Sequence, residues 1–134
     1  MAEFERGQTF LDKKAINFDG TKGKYFIALS NAESSDDEVV CFVMNTENRM
    51  DKYKLNCNKK PGKFIIKPAT FSFIKNYTSI MLNKEAYYTL DELCDKNIDL
   101  RDVAEDKLQR EIKNCIDFDY LLPKGTKLIK DSFK

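Results

Sequence analysis

Three apolar runs of strand length, separated by turn-forming segments, most restrict the folds open to this 134-residue chain. They cover residues 25–29, 38–44 and 63–67. A polar segment at 30–37 connects the first two, and Pro61 and Gly62 form a turn before the third. Short runs joined by turns predict an antiparallel sheet, with a further short strand after Gly7 and another at 78–82.

The second half of the chain changes to helical patterns. Thr89, followed three residues later by Glu92, predicts a capping box and a short helix at 90–94. Apolar residues recur at helical spacing across 100–116 and predict an amphipathic helix there, after which Pro123 and Gly125 interrupt the tail. The order of elements predicts one α+β domain, a small curved antiparallel β-barrel or sheet with a helix packed against it.

The chemical inventory excludes several classes of site. The chain has no histidine, which removes the usual general base near neutral pH and the commonest zinc ligand. Its cysteines, Cys41, Cys57, Cys94 and Cys115, are widely spaced and include no C-x-x-C pair. We therefore expect no metal site and no disulfide, and we expect Cys41 and Cys115 to be small buried side chains in a reducing cytosol. The sequence also shows no secretory leader pattern and no apolar run of membrane length, which predicts a soluble, cytoplasmic protein.

Charge is distributed unevenly although 23 basic and 22 acidic residues nearly balance. Residues 47–75 contain eight basic and two acidic side chains, whereas residues 85–106 contain eight acidic and two basic ones. Aromatic residues interleave with the basic stripe, as in grooves that hold single-stranded RNA with cations on phosphates and rings against bases. The alternative is that the lysines protect strand edges from aggregation and that the aromatic rings belong to the core.

Several ordered segments of the chain resemble the MazF/PemK family of toxin endoribonucleases, the toxin half of type II toxin–antitoxin pairs. The segments are GQTF at 7–10, GKYFIALSN at 23–31, the apolar run at 39–46, and FIIKP at 64–68 with the residues that follow it to 80. This resemblance implies one domain over residues 1–134, a small SH3-like antiparallel β-barrel with a C-terminal helix. It also implies a protein that dimerises and cuts single-stranded RNA without a metal or other cofactor.

The same resemblance assigns roles to individual residues. The family's threonine position falls on Thr46, and its arginine position falls on Lys24 or Lys22. Lysine holds a phosphate as a point charge and lacks the two-pronged grip of arginine, so we expect a slower nuclease or a protein that binds without cutting. The predicted catalytic residues are Lys24 and Thr46, and the predicted RNA contacts are Lys22, Ser30, Asn31, Lys59, Lys60, Lys63 and Phe73.

The expected partners are single-stranded RNA, an antitoxin protein that covers the RNA-binding face, and a second copy of the chain, with no membrane contact. The alternative is a non-catalytic SH3-like interaction module that binds a protein or RNA partner. Neutralising Lys59, Lys60 and Lys63 separates an RNA ligand from a protein ligand, because only RNA affinity depends strongly on these charges and on salt.

Overall fold

Strand-length segments alternate with turns through most of the chain, and they assemble into one antiparallel sheet. The computed structural model describes residues 4–16 and 20–134, which contain eight strands and three α-helices. The strands are β1 Gln8–Ile16, β2 Lys22–Ala28, β3 Glu38–Thr46, β4 Asn56–Asn58, β5 Lys63–Ile66, β6 Thr78–Met81, β7 Ala86–Thr89 and β8 Ile98–Val103. The helices are α1 Leu90–Leu93, α2 Asp106–Cys115 and α3 Pro123–Ser132, with a 3₁₀ turn at Phe118–Tyr120 between the last two.

The sheet is open rather than closed. Its strand order is β4-β5-β6-β3-β2-β1-β8, all pairs are antiparallel, and β7 pairs with β3 beside β6. The outer strands β4 and β8 do not pair with each other in the described part of the chain. Instead, Ser72 of the β5–β6 loop donates from its N–H and its hydroxyl to the carboxylate of Asp102 in β8, both at 2.7 Å. The α+β class is confirmed, but a closed barrel is not.

The central strands are buried on both faces because successive side chains of a strand point to opposite sides. Ile27 and Phe42 face the larger core, which α2 and α3 cover with Ile112 and Ile129 among others. Residues on the opposite side of the same strands form a second core beneath α1, comprising Phe4, Phe10, Phe26, Ala28, Ala32, Val39, Cys41, Leu90 and Leu93. Burial on both faces explains why β3 is apolar in every position from 39 to 44.

The helical predictions hold in part. The capping box is confirmed, since Thr89 Oγ1 accepts from the Glu92 N–H at 3.1 Å and Glu92 Oε1 accepts from the Thr89 N–H at 2.9 Å. The helix predicted over 100–116 is wrong in its first part, because Leu100 lies in β8 opposite Phe10 and is 53% exposed. Helix α2 begins only at Asp106. The tail forms α3, which was not predicted; a proline in the first helical turn starts a helix rather than breaking it.

The cysteine prediction is wrong for one pair. Cys57 of β4 and Cys115 at the end of α2 form a disulfide with their Cα atoms 5.4 Å apart. The two cysteines are 58 residues apart, and no local pattern in the sequence indicates that they pair. The pairing depends on the packing of α2 against β4. Cys41 is buried as predicted, and burial raises the pKa of its thiol well above the ordinary value. The disulfide removes the cysteine-based argument for a reducing compartment.

Candidate nucleic-acid interface

A groove opens where β3 changes its pairing partner. Residues 44–46 of β3 pair with β6, and residues 38–41 pair with β7. Between these two stretches the β6–β7 connection leaves β3, and a groove of about 410 Å³ lies beside Val43. Val43, Met81 and Ala86 are half-buried and provide apolar surface along it. We call this concavity the β6–β7 groove.

Two lysines and two amides contribute polar groups to the β6–β7 groove: Lys24, Asn45, Asn83 and Lys84. In the β2–β3 pair Tyr25 lies opposite Met44. Lys24 therefore lies opposite Asn45, and both side chains are on the same face of the sheet. Within residues 4–16 and 20–134, none of these four side chains has a hydrogen-bond or ion-pair partner. The groove therefore combines an apolar surface with donors and acceptors that are available to a ligand.

Glu85 also lines the groove, and its carboxylate and that of the neighbouring Asp12 already accept hydrogen bonds from other groups. Glu85 Oε2 accepts from the Tyr87 hydroxyl at 2.7 Å and from the Leu122 N–H at 2.9 Å. Asp12 lies opposite Lys24 in the β1–β2 pair, yet its two oxygens accept from the Tyr88 hydroxyl and the Lys14 N–H. Burial, followed by the bond to Asp12, raises the pKa of Tyr88 well above its ordinary value, so its proton stays in that bond.

The two predicted catalytic residues lie on opposite faces of the sheet. Lys24 lines the β6–β7 groove, whereas Thr46 lines a different pocket of about 240 Å³ together with Tyr25 and Phe73. The Phe73 ring stacks on Tyr25 with ring centroids 4.3 Å apart. Lys24 lies opposite Asn45, the residue before Thr46 in β3, and successive residues of a strand face opposite ways, so Lys24 and Thr46 are not placed to act on one phosphate within one chain. The pairing register that separates them is not visible in the sequence.

Ser30 and Asn31 form hydrogen bonds within the fold and do not line the groove. The Ser30 side chain is fully buried, and its Oγ accepts from the Val40 N–H at 2.8 Å. Asn31 Oδ1 accepts from the Arg6 N–H at 2.8 Å, and the Asn31 N–H donates to Ser132 Oγ at 2.9 Å. Both residues therefore have structural partners that account for their position at the end of β2.

The predicted RNA-contacting lysines separate into distinct environments. Lys63 Nζ donates to Glu47 Oε1 at 2.8 Å and lies 4.3 Å from the centroid of the Tyr53 ring, so its charge is already compensated. Lys22 is exposed at the start of β2, where the pairing with β1 is irregular. Lys59 and Lys60 are exposed in the β4–β5 turn.

Lys59 lines a second concavity of about 470 Å³, which we call the basic cleft. Its other walls come from the end of α2, the 3₁₀ turn and the end of α3. Three further lysines line it, which were not predicted because they lie outside the basic stripe and meet only in the fold: Lys113, Lys130 and Lys134. The last 22 residues are rich in lysine, which is the one sequence signal for these residues. That signal does not indicate which surface the lysines face.

Comparison of the chain with protein-family models, with curated proteins and with solved structures finds no match. Across the described ranges, no group of three or more cysteine, aspartate or glutamate side chains is arranged to hold a metal ion. None of the helices formed by these residues has the length and apolar character needed to cross a membrane.

Proposed function

We propose that this protein binds single-stranded RNA in the β6–β7 groove. The observation that carries the proposal is a set of four polar side chains beside an apolar surface that have no partner among the residues the structure describes, namely Lys24, Asn45, Asn83 and Lys84. Lysine ammonium groups suit phosphates, and side-chain amides both donate to and accept from base edges. Single-stranded RNA exposes the base faces and edges that such a groove requires, whereas a duplex hides them.

The resemblance to MazF/PemK toxins extends this proposal from binding to cleavage. In that extension the open sheet is a variant of the family's SH3-like barrel, and Lys24 stabilises the negative charge that develops on the attacked phosphate. Attack by the ribose 2′-hydroxyl also requires a group to take its proton. Ammonium and amide groups do not serve as that base, and Thr46 lies on the other face of the sheet. Binding is therefore the proposal that the geometry supports best. A homodimer and an antitoxin partner stay predictions.

The test is RNA binding by the wild type and by Lys24→Gln and Asn45→Ala. Fluorescence anisotropy with a labelled, unstructured RNA of about four nucleotides measures the dissociation constant at several salt concentrations. We expect Lys24→Gln to weaken binding severalfold and to reduce the slope of log affinity against log salt by about 0.7, the value for one phosphate contact on a single strand. Asn45→Ala should weaken binding with little change in that slope.

Lys14→Gln is the matched control, since Lys14 is exposed on β1 and does not line the groove. Equal affinities for the control, Lys24→Gln and Asn45→Ala would contradict the proposed site. The same mixtures, incubated in EDTA and separated by electrophoresis, test cleavage. Fragments from the wild type that Lys24→Gln does not produce would support the nuclease extension, and intact RNA would restrict the function to binding.

A further inference from the structure

We infer that the basic cleft holds the phosphate backbone of the same RNA strand after it leaves the β6–β7 groove. This inference rests on the proposed function, because both sites are assigned to one ligand. The cleft gathers Lys59 from the β4–β5 turn, Lys113 from α2, and Lys130 and Lys134 from α3 and the residues after it.

The charge of the cleft is largely uncompensated. Lys134 pairs with Asp131 at 3.1 Å, but Lys59, Lys113 and Lys130 have no carboxylate partner within the described parts of the chain. The described residues that line the cleft include no acidic side chain. Four like charges around one concavity raise the local potential, and a ligand with several phosphates compensates them while releasing its own counterions. The cleft therefore suits a polyanion better than a neutral or cationic partner.

Aromatic rings support two of these ammonium groups. Lys130 Nζ lies 4.9 Å from the centroid of the Phe118 ring, and Lys113 Nζ lies 5.7 Å from that of Phe133. These contacts keep both cations close to the cleft wall. Phe118 is only half-buried, so part of its ring also provides a surface for an unpaired base. A single strand offers phosphates and bases together, which matches this mixture of lysines and rings.

The groove and the cleft are connected through the β4–β5 turn. Gly62, at the end of the turn, packs so closely on the groove residue Asn83 that a Cβ added to it would lie 3.2 Å from Asn83 Cβ. The same added atom would lie 3.4 Å from the ring of Tyr120, which is 43% exposed. Lys59 and Lys60 precede Gly62 in the turn. The apolar residues of the groove and of the cleft belong to the cores on opposite sides of the sheet, so one strand reaches both sites by passing around the sheet beside Asn83 and this turn.

The disulfide holds the walls of the cleft together. Cys57 lies two residues before Lys59, and Cys115 lies two residues after Lys113. Opening the bond frees the turn from the end of α2, which should weaken binding of a strand that uses the cleft. It should leave binding in the groove unchanged, because no groove residue adjoins either cysteine.

The experiment compares two RNA lengths on the intact chain. An RNA of about four nucleotides fits the groove alone, and one of about sixteen nucleotides reaches both sites. The test variant carries Lys59→Gln, Lys130→Gln and Lys134→Gln, and the control carries Lys14→Gln, Lys67→Gln and Lys96→Gln; all six lysines are exposed. Removing three phosphate contacts should lower the salt slope for the long RNA by about 2 and its affinity at least tenfold. Binding of the short RNA should not change.

The outcomes separate the two proposals. If the test and control variants bind the long RNA equally, the cleft is overturned while the groove stands. If the test variant weakens long-RNA binding but Lys24→Gln changes neither RNA, the groove and the continuous path from it are overturned, and only phosphate binding in the cleft is supported. Wild-type protein that binds neither RNA overturns both. Thermal unfolding of each variant establishes that it is folded, and dithiothreitol should weaken only the binding of the long RNA.

Discussion

At the scale of single residues, one buried carboxylate decides the role of a predicted RNA contact. Glu47 Oε1 accepts from Ser79 Oγ at 2.6 Å and from Lys63 Nζ at 2.8 Å, and Glu47 Oε2 accepts from the Arg49 N–H at 3.1 Å. Burial by itself raises the pKa of Glu47, but these hydrogen bonds and the charge of Lys63 offset it and hold the pKa below its usual value. Lys63 therefore stabilises the fold, and a charge-neutralisation test of RNA binding should use Lys59 and Lys60 without it.

Glu47→Gln should lower the free energy of unfolding at pH 7 by about 1 to 3 kcal/mol, because it weakens charged hydrogen bonds of a buried group. The folded-state pKa of Glu47 is lowered, so its contribution is present above the ordinary carboxyl pKa and is lost as pH falls through the folded value. Urea unfolding at pH 7 and at about pH 3 measures the difference between the two proteins. The difference should shrink in acid; an equal difference at both pH values would count against the ion pair.

At the scale of elements, helix α3 depends on a glycine for its contact with the sheet. Gly125 is buried, and a Cβ placed on it would overlap the Tyr87 hydroxyl and would lie 2.8 Å from Glu85 Oε2. The Tyr87 hydroxyl donates to Glu85, which also accepts from the Leu122 N–H at the start of the helix. The glycine thus allows α3 to approach β7 without displacing this hydrogen-bonded group.

Gly125→Ala tests this close approach. In an exposed helix the change stabilises by about 1 kcal/mol, but here we expect a loss of about 1 to 3 kcal/mol because the methyl group overlaps the Tyr87 hydroxyl. Chemical unfolding gives the comparison. Lys127→Ala is the control in the same helix, since Lys127 is exposed and pairs with Asp131 at the helix surface; its effect should stay within about 0.5 kcal/mol. Stabilisation by Gly125→Ala would show that the helix does not need the glycine.

At the scale of the whole molecule, two links between residues far apart in the sequence tie the edge strands of the open sheet to other parts of the fold. The disulfide ties β4, one edge of the sheet, to α2, and Ser72 of the β5–β6 loop binds Asp102 of β8, the other edge. Hydrogen bonds from Ser72 also lower the pKa of Asp102. These links hold a curved sheet together where strand pairing does not close it.

The disulfide should be the stronger of the two links. Closing a loop across 58 residues restricts the unfolded chain, and reduction should therefore lower the free energy of unfolding by up to about 4 kcal/mol. Urea unfolding with and without dithiothreitol measures the change, and a thiol assay in denaturant should find two free cysteines before reduction and four after it. Cys94→Ser is the control and should have little effect, because Cys94 is exposed and unbonded. Four thiols before reduction would contradict the bond.

Local patterns predicted the elements whose signals are contiguous in sequence. The runs at 25–29, 38–44 and 63–67 correspond to β2, β3 and β5, and the capping box at Thr89 starts α1. By contrast, β4, β7 and β8 are short or polar, and their pairing partners rather than their composition make them strands. The helix predicted from Leu100 failed for that reason.

The sequence by itself determined the antiparallel α+β class, the central apolar strands and the start of α1, because these depend on residues within one turn or one strand of each other. Tertiary structure alone decided the site. It placed Lys24 and Thr46 on opposite faces, compensated Lys63 with Glu47, and gathered the lysines of the basic cleft from separate elements. These outcomes depend on strand register and helix docking, which are set by contacts between residues far apart in the chain.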